Sequence, residues 1–314
     1  MNMNFYLRER NRALKLIRED FFGCPGDGDY KTNGEVKQYP HVLKNREFNL
    51  HPSVRDDAVK YFKENQIHWH EGKVSPTGHV LSSQIACVNH LFPLRNDKNA
   101  VLNLLKTVSD DFIDVFPIPE RISGYIQFEA VGGGVKFLGE NQNTRGEFCV
   151  SLDALIIALH RDGRRFHVFM EWKYVEDYSI EWSGKKKVEN KILYEPLIKQ
   201  SACLFYEKTW LCCGANPFYQ LMRQTLWAEK LFEHKVEGFE ADDFLHLFVV
   251  PKSNGELLNG GHPDLGGDLE KTWRSCLKHP SKFVIVSPAE LWSRQDKDTD
   301  IYAYLKKRYW DGDI

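Results

Sequence analysis

Residues 151–173, "SLDALIIALHRDGRRFHVFMEWK", hold the key to the fold. Two apolar runs flank Arg161-Asp162-Gly163, as in a β-hairpin, yet Asp153 stands near the start of one run and Glu171 and Lys173 end the other. A two-residue loop at Asp162-Gly163 would put Asp153 opposite Trp172 and leave Asp153 and Glu171 on opposite faces. A three-residue loop, a type I turn closed by glycine in the left-handed conformation, is equally natural. It sets 153 across from 171 and 151 across from 173, and directly opposed side chains share a face. Ser151, Asp153, Glu171 and Lys173 then form one polar cluster. Leu152, Ala154, Ile156, Val168, Met170 and Trp172 form the apolar reverse. This register is preferred because the other divides the charges between two otherwise apolar faces.

Opposed carboxylates repel, and burial adds a desolvation cost to their charged forms. Lys173 offsets part of this. A hard divalent cation would offset more, since Mg²⁺ is typically held by one or two carboxylates plus waters and substrate phosphates. Such an arrangement suits phosphodiester hydrolysis, where a metal polarises a phosphoryl oxygen and acidifies water. The contrary reading is a cross-strand ion cluster on a half-solvated sheet.

Outward from the hairpin, "GYIQFEAV" (124–131) alternates as a strand, and "GGGVKFLGENQNTRGE" holds turn chemistry and one short strand. "FLHLFVVP" (244–251) and "KFVIVS" (282–287) are continuous apolar runs, as in strands covered on both faces. Helices are expected near 5–20, in "HPSVRDDAVKYFKEN", in "LSSQIACVNHLFPL" behind a serine N-cap, and in "DKNAVLNLLKTV". Further helices are expected at 190–208, at 216–233 with Asn216 as N-cap and Pro217 at the first position, and around 266–278. A meander of strands followed by alternation with helices implies an α/β or α+β mixed sheet. Residues 1–80, rich in Gly, Pro, Asn and His after the first helix, read as an irregular N-terminal elaboration, and 81–314 as the main domain.

With 314 residues, 42% of them apolar, the chain buries a sizeable core, and its formal charge of -2 argues against a generally basic coat. Polyanion contacts would come from local patches: Arg161, Arg164 and Arg165 at the hairpin, and the "KKK" of 185–187. Trp182 and Trp227 are candidates for stacking on bases. Seven scattered cysteines without a CxxC pair fit reduced thiols of a cytoplasmic protein. No apolar run approaches the roughly 18 residues of a membrane span. The histidines of "HWH" (68–70), with His79 and His90, show no metal-ligand spacing.

With Asp153 at the front of one strand and "EWK" (171–173) in the next, the chain resembles the PD-(D/E)XK nuclease superfamily, with its restriction-endonuclease-like fold. The flanking "RGEFCVSLDA" and "EWKYVEDY" are similar to a bacterial branch of these proteins. The resemblance implies an α/β core with a central mixed sheet flanked by helices. It implies a nuclease using Mg²⁺, with Mn²⁺ tolerated, on nucleic acid, foremost DNA, and it allows a homodimer. Asp153 and Glu171 would be metal ligands, assisted by the carbonyl of Trp172, while Lys173 would position or activate the attacking water. Glu129, in "YIQFEAV", stands as a further ligand, because the helix before the sheet offers Gln84 and Asn89 where many relatives have an acid. The proline before the aspartate is replaced by Leu152, which affects backbone preference and not ligation. Some relatives carry a helical glutamine after the E-x-K strand, and "NPFYQLMRQTLWAEKLF" supplies Gln220 and Gln224, four apart on one face, with Arg223 and Trp227 nearby. Glu176, Tyr178 and Glu195 are weaker candidates. The rival expectation is a non-catalytic nucleic-acid-binding protein that keeps the fold.

Overall fold

A computed structural model describes residues 3–32, 34–71, 74–131, 138–139, 150–178 and 191–310. Its centre is a six-stranded mixed sheet. Following the hairpin β1 (Gly28–Thr32) and β2 (Glu35–Tyr39), the sheet is built from β3 (Phe112–Phe116), β4 (Gln127–Ala130), β5 (Leu152–His160), β6 (Arg165–Trp172), β7 (Asp243–Val249) and β8 (Phe283–Val286). Its spatial order is β3-β5-β6-β7-β8, and β4 lies on the same side of β5 as β3, further along the strand. The β3, β4, β5 and β6 pairings are antiparallel, whereas β6-β7 and β7-β8 are parallel.

The hairpin takes the three-residue loop. Leu159 pairs with Arg165 and Ala154 with Met170, His160 N donates to the Arg164 carbonyl at 2.9 Å, and Gly163 has φ +88°. A residue with a Cβ at that φ would be strained, so the glycine decides the register.

Both faces of the sheet are buried, which explains why β5 to β8 read as near-continuous apolar runs. One face, with Ala154, Ile156, Val168, Met170, Trp172 and Leu247, packs in a single core with residues of α1 (Phe5–Arg18), α2 (Arg55–Glu64), α3 (Ser83–Leu91) and α4 (Lys98–Lys106). The opposite face, with Leu155, Ile157, Phe169, Phe244 and Phe248, is covered by α5 (Lys191–Gln200), α6 (Tyr206–Cys212) and α7 (Phe218–His234). Between β7 and β8 run α8 (Gly255–Leu258) and α9 (Leu269–Cys276), the latter on this second core. After β8, α10 (Pro288–Leu291) and α11 (Asp300–Tyr309) return to the first. Leu152, expected with Ala154, belongs to the second core.

Three features depart from the sequence reading. The N-terminal segment is not wholly irregular, since β1 and β2 form a hairpin with Thr32 opposite Glu35. β3 is an edge strand whose register shifts between Phe112 and Asp114, so its five residues carry no clean alternation in the sequence. Pro217, not Asn216, is the N-cap of α7, and no side chain caps that helix. The strand and turn expected within 132–149, and the loop 179–190 with Trp182 and the lysine run, lie outside the described residues.

Candidate active site

The site lies where the ends of β5 and β6 emerge between the two helical layers. Glu171 and Lys173 are only 4% and 5% exposed, so the polar cluster is no wet surface patch. Lys173 Nζ stands 2.5 Å from Glu171 Oε1, an ion pair within one strand end. Asp153 Oδ2 accepts the backbone N–H of Trp172 at 2.6 Å, which ties the start of β5 across to the end of β6.

The electrostatics follow from crowding. Burial pushes the Asp153 carboxyl well above the usual carboxylate range, and Glu171 and Glu129 push it further. Lys173 and the Trp172 N–H only partly restrain it. For Lys173, burial is the largest influence and opposes the charge, but Glu171, Tyr178, Glu176 and Asp153 together hold the ammonium well above its ordinary value. These neighbours favour the ammonium form of Lys173. The thiol of Cys87 on α3 reports the same field, raised by burial and then by Asp153, Glu129 and Glu171.

α7 supplies the other wall. Its i, i+4 glutamines each take one member of the ion pair: Lys173 Nζ donates to Gln220 Oε1 at 3.0 Å, and Gln224 Nε2 donates to Glu171 Oε2. Gln224 Oε1 is buried without a hydrogen-bond partner, an acceptor facing nothing that satisfies it. Tyr178 adds its hydroxyl to Gln220 at 3.4 Å, and its ring lies 5.6 Å from the Lys173 ammonium. From the opposite layer, Gln84 Nε2 donates to Glu129 Oε1 at 2.8 Å, and Ser151 Oγ donates to Glu129 Oε2 at 2.8 Å. Glu129 has φ +47°, an uncommon conformation for a residue with a side chain. Ser151 and Gln84 go unnoticed as partners of Glu129 in the sequence, where only their spacing from Asp153 and Asn89 marks them.

Several other candidates have partners of their own. Asn89 bonds to the Asn49 carbonyl and to the Tyr309 hydroxyl in the first core, away from the carboxylates. Trp172 brings Asp153 its N–H, while its indole packs against His90. Glu195 accepts from Tyr206 and Lys199, and Arg223 donates to Tyr194. Glu176 accepts the N–H of Tyr174 at 2.6 Å. Trp227 is buried in the second core and offers no face to a base. The hairpin arginines are at the wrong end of the sheet: Arg165 to Glu171 spans six residues, about 20 Å of strand. Arg164 is paired with Asp162 and Asp243, each at 2.7 Å, and Arg161 lies 3.6 Å from Asp111.

Among the described residues no three His, Cys, Asp or Glu side chains converge as a ready metal-ligand group. The donor set still fits a hard cation, since two carboxylates are forced together at the cost of raising one and an amide oxygen beside them is unsatisfied. One or two carboxylates with water and phosphate oxygens is the usual Mg²⁺ complement.

A mixed sheet with helices on both faces and an acid–acid–lysine set at the ends of its central hairpin defines a restriction-endonuclease-like protein. Residues 9–310 match the family described as restriction endonuclease associating with ARP, and the chain belongs to that family. No curated protein and no solved structure matches the chain.

Proposed function

We propose that this protein is a Mg²⁺-dependent nuclease whose substrate is DNA, with Asp153, Glu171 and Lys173 as its reacting constellation. The observation that carries the reading is the Asp153–Glu171–Lys173 cluster: a buried Glu171–Lys173 ion pair beside a second carboxyl, Asp153, whose ionisation its surroundings oppose. Membership of a restriction-endonuclease family supports the same class of chemistry.

In this reading Asp153 and Glu171 hold the metal, with Glu129 behind them as a source of negative field. When bound, the cation supplies Lewis-acid polarisation of a phosphoryl oxygen and a more acidic water. Lys173, kept protonated by Glu171, orients the attacking water and stabilises the charge that develops on the phosphate. Gln220 fixes the ammonium and Gln224 fixes the carboxylate, so the pair needs little reorganisation during reaction.

The test is cleavage of supercoiled plasmid with Mg²⁺ or EDTA, using wild type and Asp153→Asn. Wild type is expected to cut only with Mg²⁺ and the variant to be inactive while folded. Mg²⁺ should also raise the melting temperature of wild type and not of the variant, because a ligand bound only by the folded state stabilises it. Full cleavage by folded Asp153→Asn would refute the assignment.

A further inference from the structure

The carboxylate site leaves unexplained a group of rings on the N-terminal hairpin. Tyr30 and Tyr39 are diagonal neighbours on one face of β1-β2, with centroids 6.2 Å apart. His79 lies 4.8 Å from Tyr30, and His41 lies 5.7 Å from Tyr39 and 4.9 Å from His79. Tyr30 and Tyr39 are partly exposed on a ribbon whose other side chains are mostly polar and exposed, His79 beside them is partly exposed, and His41 is buried beneath. Glu71 accepts from the Tyr30 hydroxyl and so restrains that ring. Burial lowers His41 and His79 to about 4, so at neutral pH both are uncharged rings.

Cations come from the neighbouring helix. α1 carries Arg8, Arg10, Arg12, Lys15 and Arg18 against one acid, Glu9, which is buried and bonded to Arg12 and Tyr174. Arg10 Nε donates to His41 Nδ1 at 3.4 Å, placing a guanidinium beside the rings. The group is linked to the site through the start of α3. The His79 carbonyl accepts from Ser82 N, the N-cap of α3, and in the first turn of that helix Gln84 joins His70 N to Glu129, each at 2.8 Å.

We propose that Tyr30, Tyr39 and His79, backed by the buried His41 and flanked by Arg10, form a stacking surface for unpaired bases of a single nucleic-acid strand whose backbone continues into the carboxylate site. Partly exposed tyrosine rings beside a cation are the chemistry such strands need, since every base offers a π-face and every nucleotide a phosphate. The proposal rests on the nuclease reading and adds the form of its substrate: a strand with an unpaired stretch beside the cut.

The experiment is fluorescence anisotropy in EDTA with a labelled oligothymidylate of about 15 nucleotides and a duplex of equal length. Tyr30→Ala and Tyr39→Ala are each expected to weaken single-strand binding about tenfold and to leave duplex binding unchanged. Tyr39→Phe, which keeps the ring, should bind as wild type. Arg10→Ala should make the dependence of log affinity on log salt shallower by about 0.7. If Tyr30→Ala does not fold, Tyr30→Leu keeps apolar bulk without a π-face and should show the same loss. Tyrosine variants with wild-type melting and unchanged single-strand affinity overturn the stacking surface, as does a wild-type preference for duplex. Those results leave the nuclease reading standing if plasmid is still cut. A wild-type protein that binds neither form at low salt and cuts neither overturns both.

Discussion

Asp153 is held where its charge is unwelcome, and that has a measurable signature. Its carboxyl is raised well above the ordinary 3.8 by burial, then by Glu171 and Glu129. Above pH 4 the unfolded chain has released this proton while the folded chain still holds it, so unfolding releases a proton and stability falls as pH rises. The decline continues until the raised folded value is passed. Asp153→Asn removes the conflict. In metal-free buffer its melting temperature at pH 7 should exceed that of wild type, and its fall between pH 4 and 7 should be shallower. A variant that melts below wild type at pH 7 would contradict the crowding argument. Lys173 behaves oppositely. Because of the buried 2.5 Å pair with Glu171, Lys173→Ala should cost stability as well as activity. Removing one partner leaves an uncompensated buried charge, at about 3–5 kcal/mol. Chemical denaturation of Lys173→Ala should show that loss beside the loss of cleavage, and an unchanged midpoint would mean the pair is solvated.

The hairpin β5-β6 owes its register to one glycine and its site to that register. Gly163→Ala places a Cβ at φ +88° and should cost about 1 kcal/mol, read as a lower urea midpoint at constant slope. A midpoint equal to wild type would mean the loop accepts another turn. The glutamine stripe of α7 was legible for the same kind of reason: spacing of four puts Gln220 and Gln224 on one face, and that face meets Lys173 and Glu171. Other elements hid better. Asn33-Gly34 between β1 and β2 is a hairpin signal in plain view, masked by the polar character of strands that bury almost nothing. Trp227 looked like an exposed aromatic because the helix carrying it is amphipathic only against a sheet that spacing alone does not supply. The hairpin arginines are near the carboxylates in sequence, yet the length of the strands carries them to the far end.

In the molecule as a whole, distant segments converge on the strand end that carries Lys173. Tyr174 follows it directly, donates its hydroxyl to Glu9 of α1 at 2.9 Å, and receives Arg12 at 3.3 Å. Its carbonyl accepts from Asn254 beyond β7 at 3.1 Å. The first core runs from Ala13 to Trp310, so α1 and α11 are built into the layer behind the site. Tyr174→Phe keeps the ring but leaves the buried Glu9 one donor short. It should lower stability by about 1–3 kcal/mol in urea unfolding; an unaltered unfolding curve would mean that Arg12 and Arg8 together satisfy Glu9. Among the described residues no helix is long and apolar enough to cross a membrane.

By itself the sequence determined the local matters: a glycine-closed hairpin, an acid and an E-x-K triplet brought to one end of it, and a helix with two glutamines on one side. These depend on turn geometry and on periods of two and 3.6 residues, which act over a few positions. Only the tertiary structure decided that Gln84 meets Glu129, that α1 braces Tyr174, that the arginines sit remote from the carboxylates, and that rings from residues 30, 39, 41 and 79 gather at one edge. Those contacts join residues whose separation along the chain carries no periodic signal, and they exist because two helical layers must bury both faces of one sheet.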